Sequence, residues 1–195
     1  DDPVPAIREL LAESLRLYPQ YCSELSNATG IDPEYWVCGL WLREAAEPGR
    51  WFPQVAQVRN PRLMRALQQR LRMLRVPVFE NTPALEFVTA DGRLVGVRTA
   101  GDVIVCRHAV LAAGAWSGQL YPALAVQPVK GQMLLLRGRP GQLNHIRMDQ
   151  HAYLIPRRDG RILVGSTLED AGYDKTITAS ARVALMNCAA RLWPA

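Results

Sequence analysis

Residues 107–118 read Arg-His-Ala-Val-Leu-Ala-Ala-Gly-Ala-Trp-Ser-Gly, the most distinctive pattern in the chain. An apolar run over residues 109–113 ends at Gly114, and Trp116 follows two positions later. A strand buried on both faces is a continuous apolar run, and a glycine at its carboxyl end lets a ligand or backbone approach closely. Ligands of open α/β sheets bind at that end. The pattern predicts a buried strand that brings Gly114 to a ligand; the alternative is a core strand stopped by a turn.

Composition indicates a globular protein. The chain has 195 residues, of which 49% are hydrophobic and 21% charged, enough for one domain or two small ones. No apolar run approaches the ~20 residues of a membrane span. The first residues, Asp-Asp-Pro, lack the basic and apolar regions of a signal peptide. We expect a soluble, cytoplasmic protein without a membrane span.

The distribution of arginines and the spacing of histidines and cysteines argue against a nucleic-acid partner, a metal site and disulfides. The net charge is +5, but the arginines are scattered and no aromatic residues interleave with them, so nucleic acid is not predicted as a partner. The three histidines are far apart with no carboxylate at ligand spacing, so no metal site is predicted. The four cysteines are also separated and are expected to be reduced: Cys22, Cys38, Cys106 and Cys188.

Hydrophobic periodicity predicts a mixed α+β fold with a largely antiparallel sheet and flanking helices. Asp91-Gly92, between two alternating segments, is a strong hairpin signal and predicts a three-stranded meander that leads into residues 109–113. Helices are predicted over 5–18, 19–29, 61–75 and 178–193.

A second hairpin is predicted about Asp159-Gly160. If these are its two turn residues, Tyr153 lies opposite Ser166 and His151 opposite Leu168, with all four side chains on one face. A phenol, an imidazole and an apolar side chain together suit a small amphipathic ligand. A partly buried sheet face with no ligand fits the same geometry, and the spacing leaves both interpretations open.

Further motifs follow residues 107–118 in a fixed order. They are Pro-Val-Lys-Gly-Gln-Met at 128–133, Tyr-Leu-Ile-Pro-Arg at 153–157, Asp-Gly at 159–160, and Ile-Leu-Val-Gly-Ser-Thr at 162–167. This series resembles the FAD-dependent D-amino-acid oxidase superfamily, and within it the bacterial glycine oxidases linked to thiamine biosynthesis. The resemblance covers most of residues 1–193. It implies a substrate domain formed by residues 1–58 and 126–195, and a partial FAD-binding domain, with the meander and one helix, over 59–125.

The resemblance also implies site residues. Ala84 matches a position whose backbone meets the adenine of FAD, and Ala113, Gly114 and Trp116 match the turn that lies along the cofactor. Backbone contacts need small residues, so alanine and glycine are chemically reasonable there. Lys130 matches the lysine of a family motif but, at the end of a strand, is expected to be solvated.

Three residues match the substrate pocket. Tyr153 falls where these enzymes place a tyrosine near the substrate carboxylate, and His151 matches a position at the mouth of the site. Leu168 replaces a pocket methionine of a relative, and Met148 stands where a relative has a second tyrosine, so that hydrogen bond is not expected here.

The chemistry implied by the resemblance is hydride transfer from the α-carbon of an amine to flavin, which carries the redox chemistry. The imine hydrolyses, dioxygen reoxidises the flavin, and hydrogen peroxide leaves. Glycine or another small amine or D-amino acid is the implied substrate, and no catalytic acid or base is assigned. Related D-amino-acid dehydrogenases and sarcosine oxidases are alternatives, as is a non-catalytic binding module.

Two family motifs are expected outside these residues. A Gly-x-Gly-x-x-Gly unit that binds the pyrophosphate is expected before Asp1. A stretch whose arginine pairs with the substrate carboxylate is expected after Ala195. We therefore expect residues 1–195 alone to be inactive without that unit, and to self-associate through apolar surface left uncovered.

Overall fold

A computed structural model describes residues 5–43 and 48–194. Backbone contacts divide the chain into a first unit, Asp1–Val78 with Leu143–Met148, and a second unit, Phe79–Gln142 with Asp149–Ala195. The assignment of 1–58, 59–125 and 126–195 to substrate and FAD-binding domains stays a prediction. No helix in the described ranges is both long and apolar enough to cross a membrane.

The helices and strands follow one another in this order along the chain: α1 Pro5–Thr29, β1 Trp36–Val37, β2 Leu40–Leu42, β3 Arg50–Phe52, β4 Ala56–Gln57, α2 Asn60–Met73, β5 Glu86–Ala90, β6 Arg93–Arg98, β7 Val103–Val105, α3 Ser117–Leu120, β8 Leu134–Arg137, β9 Ile146–Met148, β10 Tyr153–Pro156, β11 Arg161–Gly165 and α4 Ala179–Leu192. Short 3₁₀ turns cover Gly114–Trp116 and Pro122–Leu124.

In the first unit, α1 packs on α2 through the buried side chains of Cys22, Leu25 and Ala66. The helix α1 runs through Pro19 without a break, where the sequence predicts two helices. A proline removes one N–H donor from a helix, and in a helix of 25 residues the remaining bonds continue past it.

A glycine divides one of the predicted strands of the first unit. The predicted strand 35–42 is divided into β1 and β2 by Gly39, which has a positive φ of 76°. A Cβ on Gly39 would lie 3.0 Å from Trp51 Cζ3 and closer still to two other ring atoms, so the indole lies against the glycine backbone. β2 pairs antiparallel with β3 and parallel with β9, and β1 pairs antiparallel with β4.

The second unit contains the predicted meander, which the structure confirms: β5, β6 and β7 are antiparallel neighbours. Asp91 and Gly92 both have positive φ, 49° and 73°, as a two-residue type I′ hairpin requires. The predicted mixed α+β class is confirmed as well, with β2–β9 the parallel pair and the other pairs described inside each unit antiparallel.

A second antiparallel layer, in the order β10-β11-β8, carries α4 on one side. Its centre is formed by Leu154, Ile162 and Val164 of the strands, all buried. The helix contributes one apolar side chain per turn to the same core: Ala181, Leu185, Ala189 and Leu192. Thr178 caps the helix, since its hydroxyl accepts a hydrogen bond from the Ala181 N–H at 3.3 Å.

The predicted buried strand over residues 109–113 is wrong. These residues are irregular, and Val110 is 93% exposed. A strand forms only where a neighbouring strand supplies hydrogen-bond partners, and none of the described strands pairs with this segment. Gly114 does mark a turn, because a 3₁₀ turn and then α3 begin there.

The predicted register of the second hairpin is wrong by one residue. Tyr153 lies opposite Gly165 instead of Ser166. The loop has three residues, 158–160, because the Arg157 N–H donates to the Arg161 carbonyl at 2.7 Å and Gly160 adopts a φ of 84°. A glycine with positive φ in the third position is typical of three-residue hairpin loops.

Leu154→Ala should test the core of the second unit. Leu154 is fully buried, so its truncation should lower the free energy of unfolding by about 2–5 kcal/mol. Leu135→Ala on β8, where the side chain is 55% exposed, is the matched control and should cost less than about 1 kcal/mol. Urea unfolding measures both; equal losses would contradict this description of the core.

Candidate functional site

The phenol ring of Tyr153 lies flat against the backbone of β11. A Cβ on Gly165 would lie 2.5 Å from Cζ and 2.7 Å from Cε2 of this ring, so only glycine fits opposite the tyrosine. The Tyr153 hydroxyl donates to Met133 Sδ, 3.6 Å away. The glycine and the methionine together fix where the hydroxyl lies.

The turn before Tyr153 is held by a buried carboxylate. Asp149 Oδ1 accepts hydrogen bonds from the N–H groups of His151 and Ala152, each at 2.9 Å. Its Oδ2 pairs with Arg191 of α4, 2.9 Å from Nε and 2.8 Å from Nη2. The His151 backbone is therefore fixed, while its ring is exposed and contacts the Gln150 amide at 3.0 Å.

Hydrogen bonding sets the charge state of Asp149. Burial alone would raise the pKa of its carboxyl group, but the His151 N–H, the Arg191 guanidinium and the Ala152 N–H stabilise the carboxylate. The pKa consequently lies below its ordinary value.

A cavity of about 410 Å³ lies in the second unit beside these strands. It is lined by three stretches, Ala115 with Trp116, residues 128–133, and residues 172–177. Met133 belongs to this lining and also receives the Tyr153 hydroxyl bond. The predicted substrate tyrosine therefore contacts a methionine that lines the same cavity as Trp116 of the predicted cofactor turn.

Trp116 is stacked on a residue that the sequence did not single out. The Tyr173 ring lies 5.6 Å from the Trp116 ring at an interplanar angle of 29°. The Tyr173 hydroxyl donates to the Ala115 carbonyl at 3.0 Å, and Lys175 Nζ lies 5.1 Å from the centre of the Trp116 ring.

Lys130 is buried, which contradicts its expected solvation. Its side chain is 8% exposed, and Nζ lies 2.9 Å from Asp174 Oδ2 and 3.8 Å from Glu169 Oε2. The Thr176 N–H, the Lys130 ammonium and the Thr176 hydroxyl all stabilise the Asp174 carboxylate, which lowers its pKa to about 2. This carboxylate lies 44 residues from Lys130 in the chain, so sequence spacing gave no signal for the pair.

The buried amide of Gln132 is a further residue that sequence reasoning missed. Its Nε2 donates to Glu169 Oε1 at 2.8 Å and to the Thr178 hydroxyl at 3.1 Å. Its Oε1 accepts from the Thr178 N–H at 2.9 Å. The Gln132 side chain therefore joins the segment that contains Lys130 and Gly131 to the N-terminus of α4.

The remaining predicted residues are arranged differently. Leu168 is 86% exposed and lies beyond the end of β11, outside the cavity lining. Ala84 precedes β5, is exposed, and makes no hydrogen bond with another described residue. The Ala113 carbonyl accepts from the Trp116 N–H at 3.0 Å. Gly114 has a φ of 54° and open space where a Cβ would stand.

Comparison with known protein families identifies the family of this chain. A family model described as DAO, FAD dependent oxidoreductase, matches residues 2–195. The chain belongs to this family. Among its members, the glycine oxidase of Pseudomonas putida is 38% identical over 230 residues, which is 97% of this chain and 63% of the relative. The bifunctional protein ThiO/ThiG of Trichormus variabilis is 31% identical over 97% of this chain and 35% of that protein.

Two solved structures show the same fold. The glycine oxidase of Bacillus cereus superposes with a TM-score of 0.89 over 100% of this chain and 67% of its own, at 21% identity. The glycine oxidase of Geobacillus kaustophilus gives a TM-score of 0.88 at 22% identity, over 100% of this chain and 64% of its own. The chain thus spans about two thirds or less of the length of these relatives.

Gly165→Ala should displace the Tyr153 ring. Because the new Cβ would overlap the ring, we expect a loss of about 1–3 kcal/mol in the free energy of unfolding. Gly101→Ala is the matched control, since its Cβ would meet nothing within 4 Å, and should change stability by less than about 0.5 kcal/mol. In a Tyr153→Ala background the cost of Gly165→Ala should largely disappear; a full cost there would disprove the contact.

Asp149→Asn should give a pH-dependent loss of stability. Because the folded-state pKa of Asp149 is depressed, its stabilisation is fully present above its unfolded pKa near 3.8 and is lost as the pH falls through the folded value. At pH 7 the variant should lose about 1–2 kcal/mol through the Arg191 pair, and this difference from the wild type should shrink below about pH 4.

Urea unfolding between pH 7 and pH 3 measures this difference. Asp91→Asn is the control, because asparagine suits the same turn position, and its curve should follow the wild type throughout. A loss for Asp149→Asn that stayed constant down to pH 3 would contradict the assignment.

Proposed function

We propose that these residues form the substrate wall and part of the cofactor wall of an FAD-dependent oxidase that oxidatively deaminates glycine or a similarly small amine or D-amino acid. The observation that carries the proposal is Met133, which contacts the Tyr153 hydroxyl and lines the same cavity as Trp116. The match to the FAD-dependent family and the likeness to glycine oxidases support it.

The turn at Gly114 fits a large planar cofactor. The space beside its Cα is open, and Trp116 next to it is half-exposed toward the cavity, so a ligand can approach the backbone closely. Residues 113–116 would lie along FAD and Ala84 would meet its adenine. When bound, FAD supplies the redox chemistry, taking two electrons and a hydrogen from the amine α-carbon and passing the electrons to dioxygen as hydrogen peroxide.

Tyr153 is the proposed contact of the substrate carboxylate. Its hydroxyl donates to a thioether, and sulfur is a weak acceptor. Exchange of this bond for one to a carboxylate oxygen gains a charge-assisted hydrogen bond. The ring stays pressed against Gly165 while the hydroxyl changes partner, because the ring position does not depend on the sulfur.

His151 and Leu168 have supporting roles in this proposal. The Asp149 carboxylate holds the His151 backbone at the entrance to β10, where the imidazole can contact the substrate at the mouth of the site. Leu168 would supply apolar surface. An amine bound in its neutral form would give up the α-hydrogen as a hydride equivalent and become an iminium ion. Water would then convert the iminium ion to the carbonyl product and ammonium, so no general base is assigned.

The protein's partners in this proposal are the small amine and dioxygen. A location in the cytoplasm and self-association through uncovered apolar surface stay predictions.

Flavin uptake tests the cofactor. The full natural chain should turn yellow on addition of FAD, with absorbance bands in the visible range. Residues 1–195 alone should stay colourless, because they lack a glycine-rich phosphate-binding motif. A yellow 195-residue chain would overturn this account of the cofactor site, and a full chain that stays colourless would favour the non-catalytic binding module.

Tyr153→Phe in the flavin-loaded full chain tests the substrate site. Peroxide release should be measured with glycine, sarcosine and D-alanine, and the best substrate should lose about 10- to 100-fold in kcat/KM, since one hydrogen bond to a charged group is removed. Tyr121→Phe, an exposed tyrosine outside the cavity, should leave kcat/KM unchanged. Equal rates for both variants, or no peroxide with any of the three amines, would contradict the proposal.

A further inference from the structure

We propose that residues 172–177, here called the strap, position the cofactor turn: Tyr173 of the strap contacts the turn, and Lys130, outside the strap, anchors it. This inference rests on the proposed function. In this proposal Lys130 and Tyr173 fix the orientation of the Trp116 ring, and the ring in turn determines the environment of the flavin. The sequence pattern did not suggest this role.

Both ends of the strap are attached to the same short segment of chain. Before the strap, Glu169 exchanges two backbone hydrogen bonds with Lys130, each of 2.9 Å. After it, the Thr178 N–H donates to the Gln132 side chain at 2.9 Å. Because Lys130 and Gln132 are two residues apart, the strap is a closed loop over the cavity instead of a free connection.

The middle of the strap is anchored by the Lys130–Asp174 pair. The Lys130 side chain is 8% exposed, and a charged group is costly to bury without a partner; Asp174 Oδ2, 2.9 Å from Nζ, is that partner. The same carboxylate accepts from the Thr176 N–H at 3.0 Å and the Thr176 hydroxyl at 2.8 Å. The Asp174 carboxylate thereby ties the buried Lys130 to strap residues 174–176.

Tyr173 transmits this anchoring to the cofactor turn. Its ring stacks on Trp116 and its hydroxyl bonds the carbonyl of Ala115, so one side chain engages both the ring and the backbone of the turn. Residues 107–113 are irregular and no described strand pairs with them, so β-pairing within the described chain does not set the orientation of Trp116. The stack, the hydroxyl bond and the Lys175 contact set it instead.

The test uses the flavin-loaded full chain and four variants. Tyr173→Leu removes the stack and the hydrogen bond, Tyr173→Phe removes the hydrogen bond alone, and Lys130→Met and Asp174→Asn break the anchor. The FAD dissociation constant is measured by quenching of flavin fluorescence, and the visible absorption spectrum reports the flavin environment directly. Asp170→Asn and Tyr121→Leu are matched controls, because both side chains are exposed and lie outside the cavity lining.

We expect Tyr173→Leu and Lys130→Met to raise the FAD dissociation constant about tenfold or more and to shift the flavin absorption maxima. Tyr173→Phe should raise it about fivefold, the equivalent of one hydrogen bond, and Asp174→Asn should fall between these values. The double variant Lys130→Met with Tyr173→Leu should have the same FAD dissociation constant as Tyr173→Leu alone, since both substitutions act through the same turn. Both controls should match the wild type.

The outcomes separate this inference from the proposed function. A wild-type chain that binds flavin, with strap variants of unchanged affinity and spectrum, overturns the strap alone. Raised dissociation constants with an unshifted spectrum also overturn it, because a merely structural role would produce them. A wild-type chain that takes up no flavin overturns both proposals. Thermal unfolding without FAD identifies any variant that has lost its fold, and the exposed Tyr173 variants then decide the question.

Discussion

The close approach of the Tyr153 ring to the backbone of Gly165 is the constraint on which the rest of the site depends. The residue opposite the tyrosine has no side chain, so the ring lies flat across the strand and its hydroxyl extends to Met133. Were the ring to stand upright on the sheet, its hydroxyl would no longer reach Met133, which lines the cavity. The same solution occurs in the first unit, where the Trp51 indole lies against Gly39. In each unit, a glycine without a Cβ allows an aromatic ring to lie against the backbone and so fixes the position of the ring.

Local sequence was sufficient wherever neighbouring residues decide the structure. The Asp91-Gly92 turn needed only two residues with positive φ, and the meander followed from it. The sequence predicts the second hairpin one residue out of register, because the loop that ends in Gly160 has three residues instead of the two that Asp159-Gly160 indicates. A one-residue shift changes which side chains share a face, and that is why Ser166 was paired with Tyr153.

Distant contacts decided the features that sequence reasoning missed. The apolar run 109–113 has the composition of a buried strand, but pairing partners for it are absent from the described residues. The local sequence predicts a solvated Lys130, but the loop after β11 places Asp174 and Glu169 beside its ammonium group. Tyr173 and Gln132 carry no local signal, because their roles come from partners 58 and 46 residues away.

The contact between Tyr153 and Gly165 also restricts the order in which this pair can diverge. A side chain can arise at position 165 only after the ring at 153 has become smaller, because the overlap of the two would be present in every intermediate that changed the glycine first. Once the ring at position 153 is lost, the glycine is free to vary. If the glycine changes first, the intermediate protein is destabilised by the overlap. Descendants of this sequence should therefore retain the glycine for as long as they retain the aromatic residue. Substitution at position 153 should always come before substitution at position 165.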